Sequence, residues 1–291
     1  MKTDWEITGN SKICGIIGDP VEHTISPAMH NAAFKALNLE YVYVPFRVSP
    51  EDLPRAVEGL RVFNMRGVNV TIPHKVKIIH LLDEIDEFAR KIGSVNVVVN
   101  DNGRLTGYNT DAHGFLYALL DRGVEPEGQK VAVLGAGGAS RSVCFALAER
   151  GASLTILNRT PGNAARFAVE MSELTGRPIQ VLGLTRENLS AALDNCSILI
   201  NATSVGMYPH SDSTLADHNL IKPHHTVVDI VYNPFRTKLL AEAEKAGART
   251  IGGIDMLIWQ GALAFEIWTG RQAPINVMRK DAQRFLKSHE K

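Results

Sequence analysis

Two polar residues in the first half of the chain have the chemistry of a proton-transfer pair. Lys75 ends the string Asn69-Val70-Thr71-Ile72-Pro73-His74-Lys75, where Pro73 is expected to open a helix. A cation in the first turn of a helix faces the positive end of the dipole, which is expected to lower its pKa; the plainer alternative is a surface lysine. Asp111 ends Gly107-Tyr108-Asn109-Thr110-Asp111 and can pair with such a lysine and orient it, or serve as the N-cap of the next helix. Thr24 and Ser26 lie two residues apart in the polar loop Gly18–Pro27, and two such hydroxyls can donate to one carboxylate. Ser26, preceding Pro27, also reads as an N-cap, whereas Thr24 has no such local use. Asn96 stands in an apolar strand and Gln260 in the apolar helix from Met256 to Phe265. A buried amide needs a partner, and a ligand hydroxyl would be one.

A second group has the chemistry of nucleotide binding. Val131–Leu134 reads as a strand, Gly135-Ala136-Gly137-Gly138-Ala139-Ser140 as a glycine turn, and Ser142–Arg150 as a helix. Glycines let the backbone approach a pyrophosphate, and the helix N-terminus offers free N–H groups to it. Ser140 stands where the dinucleotide fingerprint has its third glycine, so the loop alone is weak support. The following strand ends Leu157-Asn158-Arg159-Thr160, with Asn158 23 residues after Gly135. An NAD site places an acid near there for the ribose 2′-hydroxyl. Here the acid is missing and Arg159 offers a guanidinium suited to a 2′-phosphate, which points to NADP.

The elements that must carry these residues alternate between strand and helix. Strands are expected at Ile13–Ile17, Tyr41–Val44, Gly67–Thr71, Val95–Val99, Val131–Leu134, Leu154–Leu157, Ile198–Ile200 and Val227–Val231. Helices are expected at Pro27–Leu37, Pro50–Leu60, Ile254–Trp268 and Val277–Lys287. This alternation implies α/β architecture with mostly parallel sheets. The polar Gly/Pro stretch Arg122–Gly128 reads as a linker. At 291 residues the chain is long enough for about two domains.

Composition excludes several classes. Lys plus Arg and Asp plus Glu both number 31, so net charge gives no reason to expect nucleic acid or an anionic membrane as partner. Cys14, Cys144 and Cys196 are too scattered for a CxxC site, and their odd number argues against a disulfide framework and for a reducing cytosol. The histidines form no HExxH, and His224-His225 reads as a solvated turn rather than a metal site. The start, Met1–Glu6, is too polar and acidic for a signal peptide, and no apolar run approaches a membrane span.

In chain order, GDPVEHTISP, NVTIPHK, IGSVN, GYNTD, GAGGASR, NRT, NATSVGM, VYNP and GGIDMLIWQ closely resemble the shikimate dehydrogenase family over nearly the whole chain. The resemblance implies an α/β substrate domain, residues 1–110 completed by 254–291, and an inserted Rossmann-type NADP-binding domain with a parallel sheet, residues 111–253. It implies a cytoplasmic enzyme, monomer or homodimer, that reversibly reduces 3-dehydroshikimate to shikimate in chorismate and aromatic amino acid biosynthesis with NADP and no metal. Lys75 and Asp111 would form the catalytic pair. Thr24 and Ser26, helped by Tyr232, would receive the substrate carboxylate, and Thr71, Asn96 and Gln260 the ring hydroxyls. Gly135, Ala136, Gly137, Gly138, Ala139, Asn158, Arg159 and Thr160 would hold the cofactor phosphates, with Ile230 and Gly253 near the nicotinamide.

Four departures from the family pattern carry meaning. Thr24 replaces a serine, and its methyl narrows the carboxylate end and keeps quinate, or dual use of quinate and shikimate, as an alternative. Ser94 and Ala112 replace the common alanine and glycine. Asn163 stands where many NADP-using members have a second arginine, with Arg166 nearby, implying weaker discrimination against NAD. A non-catalytic nucleotide-sensing regulator on the same fold would lack the Lys75/Asp111 pair, and a folate dehydrogenase would not need Thr24 and Ser26.

Overall fold

A computed structural model describes residues 6–289; the polar start Met1–Trp5 and the side chain of Asn163 lie outside the described residues. The chain forms two compact units, one comprising the chain through Thr110 together with the chain from Ile258, the other Asp111–Leu257.

The first unit contains, in order, β1 (Lys12–Gly18), α1 (Ser26–Ala36), β2 (Tyr41–Arg47), α2 (Leu53–Val62), β3 (Gly67–Val70), a 3-10 helix (Lys77–Leu81), β4 (Glu84–Ile85), α3 (Glu87–Ile92), β5 (Val97–Asp101) and β6 (Arg104–Tyr108). Its six-stranded sheet has the order β2-β1-β3-β5-β6-β4. It is mixed rather than parallel, because β5 runs antiparallel to both β3 and β6. Asn102 (φ 55°) and Gly103 (φ 90°) both adopt left-handed conformations, which suits a two-residue hairpin turn and sends the chain straight back as β6.

The helix expected at Pro73 does not form. His74 is fully buried with its ring Nε2 2.7 Å from the Val48 carbonyl, and Val95 N–H donates to the Lys75 carbonyl at 2.8 Å. Binding the Lys75 carbonyl to a neighbouring segment removes the acceptor that the next helical turn would use. Lys75 therefore lies in a turn, two residues ahead of the 3-10 helix, and the dipole argument made for it loses its premise.

The second unit contains α4 (Asp111–Asp121), β7 (Lys130–Leu134), α5 (Gly138–Glu149), β8 (Ser153–Asn158), α6 (Pro161–Thr175), β9 (Gln180–Gly183), α7 (Arg186–Leu193), β10 (Ile198–Asn201), β11 (Thr226–Asp229), α8 (Lys238–Lys245) and β12 (Arg249–Gly252). Helix α9 (Gly253–Thr269) and helix α10 (Ile275–His289) complete the chain. The second sheet is parallel throughout, in the order β12-β11-β10-β7-β8-β9. Arg122–Gly128 is a loop inside this unit rather than a linker between units. It begins as a helix end: Gly123 (φ 62°) donates to the Leu120 carbonyl and Val124 N–H to that of Leu119, the paired bonds of a Schellman cap. His225 is also not solvated. It is buried, its Nδ1 accepts from Lys222 N–H and its Nε2 lies 3.0 Å from the Leu193 carbonyl.

Trp268 of α9 anchors the first core. Its indole N–H donates to the Val98 carbonyl at 3.1 Å, and its own carbonyl accepts from Arg66 Nε at 2.8 Å. Phe34, Tyr43, Phe265 and His30 pack in the same aromatic cluster, and complete burial pushes the His30 pKa down to about 3. Gly67 makes this approach possible: a Cβ there would sit 2.2 Å from the Val98 oxygen and 2.5 Å from Trp268 Nε1.

In the second sheet, Asp229 at the end of β11 has a fully buried carboxyl. It accepts from Thr237 Oγ1 at 2.6 Å, Val231 N–H at 3.0 Å and Asn201 Nδ2 at 2.9 Å. Burial pushes its pKa up to about 6 against the pull of those donors.

Two outcomes follow for stability. Gly67→Ala should cost about 1–3 kcal/mol in urea unfolding through overpacking, while Gly162→Ala, in α6 with no atom within 4 Å of the added Cβ, should be neutral or slightly stabilising. For Asp229, the raised pKa means that its contribution to stability is complete below about pH 3.8 and is lost as pH rises through about 6. At about 1.4 kcal/mol per tenfold change in proton affinity, the displacement is worth about 3 kcal/mol. The stability of the parent relative to Asp229→Asn should therefore fall by most of that amount between pH 4 and pH 7.5, and parallel stability–pH curves for the two proteins would contradict the assignment.

Candidate active site

In the first unit, the register of the sheet collects the polar strings at one end. The carboxyl ends of β1 and β3 lie beside the start of β5 and the end of β6, with Ile17 opposite Val70, Asn69 opposite Val97, and Val97 opposite Tyr108. From that end leave the loop carrying Thr24 and Ser26, the turn carrying Thr71 and Lys75, and the segments carrying Asn96 and Asn109-Thr110.

Gly18 lets the first two of these touch. A Cβ there would lie 2.2 Å from Thr71 Cγ2, and Asp19 N–H donates to the Ile72 carbonyl at 2.9 Å. Thr24 Oγ1 donates to Ser26 Oγ at 3.2 Å and accepts from Ser26 N–H at 3.3 Å. Ser26 is buried and is the first residue of α1; Ile25 occupies the N-cap position, so Ser26 does not cap the helix with its side chain. The two hydroxyls therefore lie within hydrogen-bond distance of each other at the head of α1.

Asn96 is buried at the centre of a polar knot. Its Oδ1 accepts from Thr110 N–H at 2.7 Å, and its Nδ2 donates to Thr110 Oγ1 at 3.0 Å and to Gln260 Oε1 at 3.2 Å. Thr110 Oγ1 in turn donates to the Gln260 carbonyl at 3.0 Å. The partner that Gln260 needs in its apolar helix is thus in part Asn96. Lys75 is half-buried and held from behind by the Val95-to-Lys75 backbone bond. Asp111, fully part of the second unit, is the buried first residue of α4, where an acid suits the positive end of the helix. Ser94 is buried, and its carbonyl accepts from Asn109 Nδ2 at 2.8 Å; Ala112 is buried in α4.

In the second unit, Gly135, Asn158, Ile230 and Gly253 each follow or end a parallel strand at its carboxyl end, the side where open α/β sheets bind ligands. β7 and β10 are neighbours from which the chain proceeds in opposite directions across the sheet, so Gly135 and Ala202 flank the switch point. Gly135 has φ 102°, and a Cβ on it would meet Thr203 Cγ2 at 2.8 Å. Ser140 explains its own departure from the glycine pattern: it is fully buried and its hydroxyl donates to the Gly135 carbonyl at 2.8 Å, closing the loop on itself.

Gly137 is the N-cap of α5, with no atom within 4 Å of a would-be Cβ, and Ala136, Gly138 and Ala139 around it are half-buried. Open space over a helix N-terminus fits a dinucleotide phosphate. Arg159 and Thr160 are exposed, and Asn158 Nδ2 donates to the Thr160 carbonyl at 3.0 Å. An uncharged amide beside an exposed guanidinium fits a 2′-phosphate better than a 2′-hydroxyl. Gly253 is needed because its Cβ would fall 2.3 Å from the Ile230 oxygen. Tyr232 is half-buried two residues further on. Among the described residues, no group of three or more His, Cys, Asp or Glu is placed to hold a metal ion, and no helix is long and apolar enough to cross a membrane.

Sequence reasoning missed Asn69, Thr110 and the Asn201–Asp229–Thr237 network. Asn69 is buried in β3, accepts from Tyr43 Oη at 2.6 Å and donates to the Asn96 carbonyl at 3.3 Å. The available signal was a polar residue inside the apolar runs Gly67–Val70 and Thr226–Asp229, where burial demands a partner.

The family model described as shikimate dehydrogenase substrate binding domain matches residues 16–98, shikimate / quinate 5-dehydrogenase matches 120–233, and shikimate 5′-dehydrogenase C-terminal domain matches 253–283. A shikimate dehydrogenase (NADP(+)) of Methanopyrus kandleri is 47% identical over 96% of this chain and 98% of its own. The enzyme of that name from Methanothermobacter thermautotrophicus is 48% identical over 96% of this chain and 99% of its own. A crystal structure of a shikimate dehydrogenase in complex with NADP+ superposes with a TM-score of 0.91 at 42% identity, covering 97% of this chain and 98% of the other. The chain belongs to the shikimate dehydrogenase family.

Proposed function

We infer that this chain is an NADP-dependent shikimate dehydrogenase that interconverts 3-dehydroshikimate and shikimate, a step toward chorismate and the aromatic amino acids. The observation that carries the reading is the 47% identity to an NADP(+) shikimate dehydrogenase across 98% of that relative's length. The geometry of each unit supports it: a hydroxyl and amide cluster suited to a polyhydroxylated acid in the first, and a glycine loop with Arg159 suited to NADP in the second.

Thr24, Ser26 and Tyr232 are assigned the substrate carboxylate, and Thr71, Asn96 and Gln260 the ring hydroxyls. Asn96 and Gln260 are fixed by each other and by Thr110, so they meet the substrate with little side-chain freedom left to lose. NADP, when bound, supplies or accepts the hydride at the ring carbon. Lys75 gives the proton to the carbonyl oxygen in reduction and removes it in oxidation, and Asp111 is assigned to orient Lys75 and a neighbouring hydroxyl. Gly135 to Ala139, Asn158, Arg159 and Thr160 hold the phosphates, and Ile230 and Gly253 border the nicotinamide. The domain from residue 111 to 253 carries the cofactor and the remainder the substrate. We place the enzyme in the cytoplasm, as a monomer or homodimer; the burial of Cys14, Cys144 and Cys196 as free thiols supports a reducing compartment.

Initial rates with shikimate and quinate, each with NADP and NAD, test the reading, and the shikimate/NADP pair should turn over fastest. No turnover of any pair would refute it, and faster turnover of quinate would transfer the assignment to the quinate enzyme. Lys75→Ala should lower kcat about 10²–10⁴-fold with a modest change in the KM for shikimate; a kcat within a few-fold of the parent would remove Lys75 from the mechanism. Arg159→Ala should raise the KM for NADP about tenfold or more, the worth of a charge-assisted hydrogen bond to phosphate, and leave the KM for NAD nearly unchanged.

A further inference from the structure

We propose that Asp229 is a positioning residue for the nicotinamide end of the cofactor, holding the backbone of Ile230 and Val231 in place through its buried carboxyl. The inference rests on the functional reading above for the identity of the ligand, and goes beyond it in assigning a role to a residue that need not touch that ligand.

The carboxyl gathers three segments. Its Oδ1 accepts from Val231 N–H, which fixes the turn that immediately follows β11, and from Asn201 Nδ2 at the end of β10. Its Oδ2 accepts from Thr237 Oγ1, whose oxygen also accepts from Leu240 N–H at the start of α8. The same Asn201 carries the constraint to the switch point of the sheet. Its Oδ1 accepts from Thr203 N–H at 3.1 Å and from Thr203 Oγ1 at 2.7 Å, and the methyl of Thr203 lies against Gly135. In the other direction, the turn held by Val231 presents the Ile230 carbonyl to Gly253 at a separation that leaves no room for a Cβ. The segments bearing Ile230 and Gly253 are thus set relative to the glycine loop by hydrogen bonds that run through Asp229 and by close contacts at either end.

Stability does not account for a carboxyl in this position. Burial holds its pKa up near 6, so at neutral pH ionisation of Asp229 works against the folded state. A neutral group of the same shape would serve the fold better, and what the position contributes is geometry: a planar side chain whose two terminal atoms meet partners in three different segments at once.

The test compares NADPH with adenosine 2′,5′-bisphosphate, which carries the adenine and 2′-phosphate but no nicotinamide, both by equilibrium titration. It adds steady-state kinetics with shikimate. Asp229→Ala should raise the Kd for NADPH at least tenfold and lower kcat at least tenfold, with the KM for shikimate and the Kd for the bisphosphate within twofold of the parent. Asp229→Asn, which keeps the acceptor for Val231 and Asn201 and gives Thr237 a donor, should restore both affected quantities to within threefold. Equal weakening of NADPH and the bisphosphate, or an NADPH Kd within twofold of the parent, would overturn the proposal. Should Asp229→Ala fail to fold, Thr237→Val and Thr237→Ser decide it. The valine variant should weaken NADPH about threefold without affecting the bisphosphate, the serine variant should match the parent, and a valine variant indistinguishable from the parent would overturn the proposal. The binding measurements need no turnover, so a parent that binds NADPH yet does not oxidise shikimate would count against the functional reading and not against the role of Asp229.

Discussion

The knot of hydrogen bonds around Asn96 is the interaction on which the substrate end depends. Asn96 immediately precedes β5, where its carbonyl accepts from Val70 N–H of β3, and its side chain reaches Thr110, two residues beyond β6, and Gln260 in α9. Three segments far apart in sequence are tied there by groups that are all buried. In an apolar interior, each of those donors and acceptors would be costly if left unpaired, so the knot holds as a set or not at all. The residues assigned to the substrate hydroxyls inherit their rigidity from this constraint.

The neighbouring strings are positioned by close approach together with backbone hydrogen bonds. Thr71 reaches the Gly18 loop because Gly18 has no side chain, and Trp268 reaches β3 because Gly67 has none. The second unit uses the same device at Gly135 against Thr203 and at Gly253 against Ile230. In both units the glycines mark where two backbones must come within a methyl group's width, and polar side chains then fix the separation that the glycines permit.

Much of this was legible from the chain because strands buried on both faces announce themselves as apolar runs. Val131–Leu134, Ile198–Ile200 and the Val227–Asp229 part of the expected Val227–Val231 strand lie on strands of the second sheet for that reason. The glycine loop was legible as well, since strand, glycines and helix occur in the order that a phosphate site needs. What failed had a common cause. Pro73 signals a helix start, but the backbone carbonyl that would continue that helix is taken by Val95, a partner 20 residues away. His224-His225 looks like a polar turn, but His225 finds two backbone partners and is buried. Asn102-Gly103 has the chemistry of a tight turn, yet Arg104–Tyr108 is too polar at its start to read as a strand until β5 is there to pair with it. Arg122–Gly128 has linker composition because a Schellman cap and a linker both call for glycine and polar residues. In the first three cases local propensity was overruled by a hydrogen bond or a neighbour that the sequence does not place in space, and in the last, two local motifs share one composition.

The same limit explains why the buried polar groups were the hardest to interpret. Asn69, Thr110 and Asp229 are chemically ordinary, and nothing within a few residues of them distinguishes a solvated side chain from the centre of a network. Their meaning comes from the partners that the fold brings to them: Tyr43 for Asn69, Asn96 for Thr110, and Asn201, directly opposite in the sheet, for Asp229. A sequence can show that a polar residue sits inside an apolar run, and physical chemistry then requires a partner for it. Which partner it has depends on strand order, and strand order also determines where a ligand can bind. In this fold Asn96, Thr110, Asn201 and Asp229 stand at or just beyond strand ends, so the requirement to satisfy buried polar atoms falls at the ends of the sheets, where open α/β folds bind ligands.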